Sequence, residues 1–203
     1  GLMAAPFAFG REITRGNVTL ILYEDIGRFN VRISGGAGVK PYTFFVKEDP
    51  RTTQLQVLVD NNIYTLGEPG RFKLTVAETQ TGARYSWSSP LIKVTEEFIF
   101  LTQADAPLTE GIKIVLRVDN VSETDHTIAV RYLFDTWLGE KSNTHFITSG
   151  SGMLARQAAF REKLPDVYWI SPNMESERGD GLLVLTDAPA VSRPDAVVFA
   201  NWK

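Results

Sequence analysis

The chain has 203 residues, of which 43% are hydrophobic and 11% aromatic, and this composition supports a packed core and excludes a disordered chain. Its 21 basic and 24 acidic side chains give a net charge of −3, so neither nucleic acid nor an anionic membrane surface is expected as a partner. The absence of cysteine excludes disulfides, thiolate metal ligands and thiol nucleophiles.

The first ten residues form a short segment that differs from the rest of the chain. Residues 1–10 are mostly small and apolar, and the charged pair Arg11 and Glu12 follows at once. Two interpretations stay open, namely the tail of a secretory signal peptide and an ordinary first strand. The first predicts a location in the periplasm or elsewhere outside the cytoplasm. No stretch reaches the roughly 20 apolar residues of a membrane-spanning helix.

In the first half of the chain, apolar and polar residues alternate with period two between turn residues. This pattern predicts strands at residues 18–23, 29–33, 42–46, 55–59, 63–66, 72–76 and 83–87. The turn residues at 60–62 and 80–82 predict two hairpins, the first because asparagine tolerates a positive φ.

In the second half, residues 91–101, 112–118 and 127–134 predict three long consecutive strands of an antiparallel meander. Residues 152–163 fit a helix and a strand about equally, because their apolar residues do not follow a 3.6-residue stripe. Later strands are predicted at residues 168–170, 182–185 and 197–200. The last has no terminating turn, which predicts an open strand edge and a natural chain that extends past Lys203.

These elements together predict an all-β fold. Many strands with turns about every ten residues are typical of a sandwich or barrel, and the long strands favour a large antiparallel β-sandwich. We expect a single β-sandwich domain over residues 11–203, with at most one or two short helices.

The central strands resemble a known family. Residues 94–100 and 112–118, the turn at 119–122 and residues 127–134 are similar to the central sheet of galactose-mutarotase-like supersandwich proteins. In that family, an Asn-x-Ser turn precedes a strand that leads into a sugar cleft, so the resemblance implies a supersandwich. The family's histidine general acid is not carried over, because its place is taken by residues 134–137 and the only histidines are His126 and His145. Its carboxylate base is not assigned either.

A second resemblance concerns residues 131–140, 168–171 and 199–203, together with the central strands. These segments are similar to uncharacterised secreted proteins of spirochaetes. That resemblance implies export to the periplasm and carries over no activity.

The densest cluster of polar and aromatic residues is Asp135, Trp137 and Glu140, with His145 nearby. One hypothesis is a ligand site, in which the tryptophan stacks on a sugar ring and the carboxylates accept hydrogen bonds from its hydroxyls. The alternative is structural, with Asp135 capping a turn and Trp137 packing over a sheet edge.

No catalytic residue is assigned. Glu96 and Glu97 are adjacent, so on a strand they point to opposite faces and cannot act as a pair. No Gly-x-Ser-x-Gly elbow occurs. The histidines and carboxylates lack the spacing of zinc or calcium sites, so neither a metal nor another cofactor is expected.

The predicted function is therefore that of a non-catalytic extracytoplasmic module, which acts by protein–protein interaction or structural assembly in the cell envelope. Its partner would be another protein or further copies of itself. The alternative is a carbohydrate-binding module or a mutarotase-like sugar-converting enzyme that uses Asp135, Trp137 and His145.

Overall fold

The computed structural model describes residues 10–34, 40–46, 49–102, 109–138, 145–161, 164, 167–173, 181–189 and 191–200. The architecture is all-β, with 61% strand and 2% helix, and this confirms the predicted fold class. The helical part of the described residues is one 3-10 turn, Pro50–Thr52. The chain divides into two compact units, Gly1–Asp135 and Thr136–Lys203. The single domain over residues 11–203 stays a prediction.

The first unit contains three antiparallel sheets, with strand orders β1-β2-β3-β4, β10-β9-β8-β7 and β11-β5-β6. The strands are β1 (Arg11–Arg15), β2 (Val18–Tyr23), β3 (Arg28–Ile33), β4 (Tyr42–Thr43), β5 (Gln54–Val59), β6 (Asn62–Thr65), β7 (Lys73–Thr79), β8 (Gly82–Ser88), β9 (Ile92–Thr102), β10 (Thr109–Asn120) and β11 (Ile128–Leu133).

Both predicted hairpins are present. In the first, Val59 pairs with Asn62, and the positive φ of 53° belongs to Asp60 rather than to an asparagine. In the second, β7 and β8 pair from Thr79 opposite Gly82. A Cβ atom on Gly82 would lie 2.1 Å from the backbone oxygen of Phe98, so only glycine fits here.

The predicted three-stranded meander is wrong at its third strand. β9 and β10 pair along nearly their full length, but β11 pairs with β5, from Ile128 opposite Val59 onwards. The start of β11 is fixed against the β5–β6 turn, because the Asp60 amide donates to the Thr127 carbonyl at 2.8 Å and the Thr127 amide donates to the Asp60 carboxylate at 3.0 Å. These contacts favour β5 as the partner.

Aromatic side chains from different sheets form the core of the first unit. The ring centroid of Phe29 on β3 lies 4.7 Å from that of Phe98 on β9 and 6.3 Å from that of Tyr132 on β11. The buried Tyr85 hydroxyl on β8 donates to the Arg28 carbonyl at 2.7 Å. The inner faces of the three sheets therefore share one apolar core, as the sheets of a β-sandwich do.

The second unit contains a sheet of order β13-β12-β15-β16 and a two-stranded sheet of β14 and β17. The strands are β12 (Phe146–Thr148), β13 (Gly152–Leu154), β14 (Ala158–Arg161), β15 (Tyr168–Pro172), β16 (Gly181–Leu185) and β17 (Ala196–Phe199). The segment that fitted a helix and a strand equally thus forms β13 and β14. The predicted last strand is β17, and one of its edges pairs with β14.

Phe199 on β17 is the centre of the core of the second unit. Its ring centroid lies 5.0 Å from that of Phe146 on β12, 5.7 Å from that of Trp169 on β15 and 6.1 Å from that of Phe160 on β14. The two sheets of this unit therefore pack against each other through aromatic rings. Among the described residues, no helix has the length and apolar character needed to cross a membrane.

Candidate functional site

The residues of the predicted ligand cluster are divided between the two units. Asp135 ends the first unit, where its amide donates to Thr53 Oγ1 at 3.1 Å and its carbonyl accepts from the Val46 amide at 3.2 Å. Trp137 and His145 are half-buried residues of the second unit. Glu140 lies outside the described residues. A ligand site at these four residues stays a prediction.

Glu96 and Glu97 on β9 point to opposite faces of their sheet, as predicted. Glu97 is half-buried, whereas Glu96 is 1% exposed, and its carboxylate accepts a hydrogen bond from the hydroxyl of Tyr132 on β11. Burial raises the pKa of Glu96 to about 8, although the Tyr132 hydrogen bond and the charge of Arg28 both lower it. Glu96 is therefore mostly protonated at neutral pH.

Arg28 on β3 is the second charged residue in this core. Its Nη1 donates to the backbone carbonyls of Ile26 and Gly27, each at 3.3 Å, and to that of Leu66. Burial lowers the pKa of Arg28, and electrostatic interactions with Tyr132, Glu68 and Glu96 partly oppose this shift. The guanidinium thus ties the β2–β3 turn to the residue after β6. Because Glu96 and Arg28 are enclosed in the core, we interpret them as structural groups.

The sheet of β12, β13, β15 and β16 places apolar side chains in a row across its four strands. Ile147 lies opposite both Met153 and Ile170, and Ile170 lies opposite Leu183. Paired residues of antiparallel strands point to the same side of the sheet. The adjacent pairs on that side are Tyr168 with Leu185, and the buried Pro172 with Gly181. We call this surface the apolar face, and it consists of Ile147, Met153, Tyr168, Ile170, Leu183 and Leu185.

The apolar face is open to solvent. Met153 is 61% exposed, Leu183 50% and Leu185 48%, whereas the three other members are half-buried. None of the six side chains is charged. Contiguous apolar patches of more than a few hundred Å² mark interaction surfaces on soluble proteins, so this face is a candidate for the centre of such a surface.

The opposite side of the same sheet already forms the core of the second unit. Phe146 and Trp169 point to that side and contact Phe199. The sheet is thus apolar on both sides, as in strands that are buried on both faces. The continuous apolar run of β16, Leu182 to Leu185, is the local sequence pattern of such a strand. In the part of the chain that the structure describes, Met153, Leu183 and Leu185 on one side of this sheet are thus exposed, although the pattern is typical of a strand that is buried on both faces.

Two further features of the described residues concern a cavity and the arrangement of metal-binding side chains. A cavity of about 10 Å³ in the second unit is lined by aromatic and aliphatic side chains, including Phe160 and Trp169. This volume is close to the smallest that holds one water molecule and is too small for a sugar. Within the described ranges, no group of three or more histidine, aspartate and glutamate residues is arranged to hold a metal ion.

The sequence pattern alone does not predict the apolar face. The continuous apolar runs of residues 168–170 in β15 and 182–185 in β16 both indicate apolar residues on two sides, but the row depends on the pairing of four strands. Comparisons of the chain with protein-family models, with curated proteins and with solved structures find no match. The resemblances to galactose-mutarotase-like proteins and to secreted spirochaete proteins therefore stay predictions.

Proposed function

We propose that this chain is a protein-interaction module of the cell envelope, which assembles with a second copy of itself through the apolar face. The observation that carries the proposal is the uncharged row from Met153 to Leu183 across four strands, exposed on a sheet whose other side is already buried. Burial of this row in an interface removes apolar surface from water, which is the main driving force of protein association.

The composition of the apolar face favours a second copy as the partner. A two-fold interface brings the same patch of both subunits together. Each side chain therefore contacts the same residue of the other subunit, or a neighbour of that residue. The six side chains carry no charge, so two apolar faces meet without like-charge repulsion and without burying an unpaired charge. Two sheets can then pack face to face about 10 Å apart with interdigitated side chains.

The dimensions of the apolar face indicate a reversible association. Four strands about 4.8 Å apart span about 14 Å, and a five-residue strand such as β16 is about 17 Å long. The corresponding area of roughly 240 Å² is well below the about 800 Å² that each partner buries in a standard interface. The apolar face is therefore the centre of an interface to which surrounding residues contribute, and we expect a dimer that dissociates on dilution.

We place this activity outside the cytoplasm. Support comes from the resemblance to secreted spirochaete proteins and from a chain without cysteine, which is compatible with an oxidising compartment. Fractionation of cells that express the full-length protein tests this part, since recovery in the cytoplasmic fraction alone would contradict it.

Sedimentation velocity over a wide concentration range tests the assembly. We expect the wild-type chain to shift from monomer to dimer as its concentration rises, and the Leu183→Glu variant to remain monomeric because two carboxylates would face each other. Ile63→Glu is the matched control, because Ile63 is 66% exposed on β6 of the first unit. It should behave as the wild type does.

A wild-type chain that is monomeric at every concentration would refute assembly with a second copy. A pull-down from the envelope extract, with the wild type and the Leu183→Glu variant as baits, then tests the wider function. If the wild type captures a different protein in stoichiometric amount and the variant does not, the chain remains an interaction module with that protein as its partner. The absence of such a protein would refute the function as well.

A further inference from the structure

The turn between β10 and β11 holds a serine, a histidine and a carboxylate in a linear hydrogen-bonded arrangement. His126 Nε2 lies 2.9 Å from Ser122 Oγ, and His126 Nδ1 lies 2.9 Å from Asp60 Oδ2. This is the order of contacts in which a carboxylate orients a histidine and the histidine accepts the proton of a serine. We propose that Ser122, His126 and Asp60 form a nucleophilic serine site that cleaves acyl esters.

The fold brings these residues together from distant parts of the chain. Ser122 and His126 belong to the segment after β10, whereas Asp60 lies in the β5–β6 turn. The pairing of β11 with β5 places the two segments side by side. The Thr127 amide donates to Asp60 Oδ1 at 3.0 Å, which leaves Oδ2 to accept from the histidine. The carboxylate is therefore held by a second hydrogen bond.

The hydrogen bonds fix the histidine tautomer. The hydrogen bond from His126 lowers the pKa of Asp60 most, and the hydrogen bond from the Thr127 amide lowers it further, so the carboxylate is ionised at neutral pH. An ionised carboxylate only accepts hydrogen bonds, and Nδ1 must therefore carry the proton. In the neutral ring, Nε2 is then an acceptor that faces Ser122 Oγ. His126 is held firmly, since only 10% of its side chain is exposed.

Other acceptors near Ser122 Oγ lie slightly farther away and are less basic than an imidazole nitrogen. Asn120 Oδ1 and the Thr124 carbonyl each lie 3.0 Å from the hydroxyl oxygen, against 2.9 Å for His126 Nε2. The Thr124 hydroxyl lies 3.3 Å from His126 Nε2, which is farther than the serine. The Ser122 hydroxyl is thus the nearest donor to the histidine.

The Glu123 amide is the candidate donor for the developing negative charge. The Glu123 amide follows the serine directly and makes no hydrogen bond to any residue that the structure describes. The amide of the residue after the nucleophile supplies part of the oxyanion hole in α/β-hydrolases. Glu123 and Asp125 are exposed carboxylates beside the serine, so we expect neutral or cationic esters to react faster than anionic ones.

The reaction proceeds in two steps. Ser122 Oγ attacks the carbonyl carbon of the ester as its proton moves to His126 Nε2, and the leaving alcohol departs with that proton. This step forms an acyl–Ser122 ester. A water molecule then attacks the acyl carbon, gives a proton to Nε2, and the carboxylic acid leaves as Ser122 Oγ regains the proton. No oxidant, metal or other co-reactant is needed.

The test measures the rate at which a fluorophosphonate probe labels individual serines of the wild-type chain, with peptide mapping by mass spectrometry. Ser88, an exposed serine on β8, is the internal control. We expect Ser122 to be labelled at least ten-fold faster than Ser88. Equal labelling of the two serines would refute the proposal without requiring any variant.

Two variants test the role of the neighbours. His126→Asn removes the general base, which typically contributes a factor of about 10² to 10⁴, so labelling of Ser122 should fall roughly 100-fold. Ser122→Ala should abolish the catalysed hydrolysis of p-nitrophenyl acetate. The control variant Ser88→Ala should keep the wild-type rate. A folded His126→Asn chain, as judged by circular dichroism, that still reacts at the wild-type rate would overturn the proposal. Neither result depends on the apolar face, so this activity and the proposed assembly are tested separately.

Discussion

Glu96 makes the stability of the first unit depend on pH in a direction that can be worked out. Its pKa is about 8 in the folded chain against an ordinary value of 4.5, because burial disfavours the carboxylate. Between these two values the unfolded chain has released the proton and the folded chain retains it. The free energy of unfolding therefore falls as pH rises from about 4.5 to about 8, and this contribution is present in full only below pH 4.5.

The size of this effect follows from the same two values. Each pH unit of difference corresponds to about 1.4 kcal/mol, so the full span gives an upper limit of about 5 kcal/mol. Water that enters the core as Glu96 ionises would reduce this, and we expect a loss of roughly 2 to 5 kcal/mol across the range.

Glu96→Gln should remove this slope, because an amide does not titrate. The glutamine amide group adds a buried N–H donor that needs a hydrogen-bond acceptor. At pH 5 the variant should therefore be less stable than the wild type by about 1 to 3 kcal/mol. Urea unfolding between pH 5 and pH 8.5, followed by tryptophan fluorescence, measures both effects. The buried Trp87 on β8 reports on the first unit.

Glu97→Gln is the matched control for this prediction, because Glu97 lies next to Glu96 on β9 and on the opposite side of the sheet. Its unfolding free energy should keep the wild-type slope. Equal slopes for the wild type and Glu96→Gln between pH 5 and pH 8 would refute the assignment of Glu96 as a protonated core residue.

Two further substitutions test the packing of each unit. Gly82→Ala should lower the melting temperature of the first unit, because its Cβ would lie 2.1 Å from the backbone oxygen of Phe98. Gly111→Ala should leave the melting temperature almost unchanged, because no atom lies within 4 Å of the added Cβ. Equal melting temperatures for the two variants would contradict this prediction. Phe199→Ala should destabilise the second unit by about 3 to 5 kcal/mol in urea unfolding, because Phe199 contacts three aromatic rings of its core, and a loss below about 1 kcal/mol would show that this core is placed wrongly.

The sequence predicts most of the strands, because each strand is a local pattern, but it misses β1 and β12. In β9, buried and less buried residues alternate from Ile92 to Phe100, and alternation of this kind is visible without knowledge of the fold. The same alternation correctly separates Glu96 from Glu97. It does not reveal that Glu96 meets Tyr132, because that contact depends on a strand 36 residues away.

Strand partners are the information that the local pattern lacks. A strand such as β11 fits any sheet edge that offers an apolar side, and the contacts of Asp60 with Thr127 and of Arg131 with Gln56 favour β5 as its partner. The same limitation applies to the proposed serine site and to the apolar face. Ser122 and His126 are close in sequence, but Asp60 joins them only through this pairing, and the row from Met153 to Leu183 likewise depends on the order of four strands.

Site-specific photo-crosslinking shows directly whether the apolar face binds a second copy of the chain. A chain with p-benzoylphenylalanine in place of Leu183 would be irradiated at a concentration where the wild type dimerises, and a chain with the same group in place of Ile63 is the control. We predict a crosslinked dimer for position 183 alone, with the attachment sites mapped to Ile147, Met153, Ile170 and their neighbours in the other copy. A chain that forms no dimer at position 183, or crosslinks equally well from position 63, would contradict the claim.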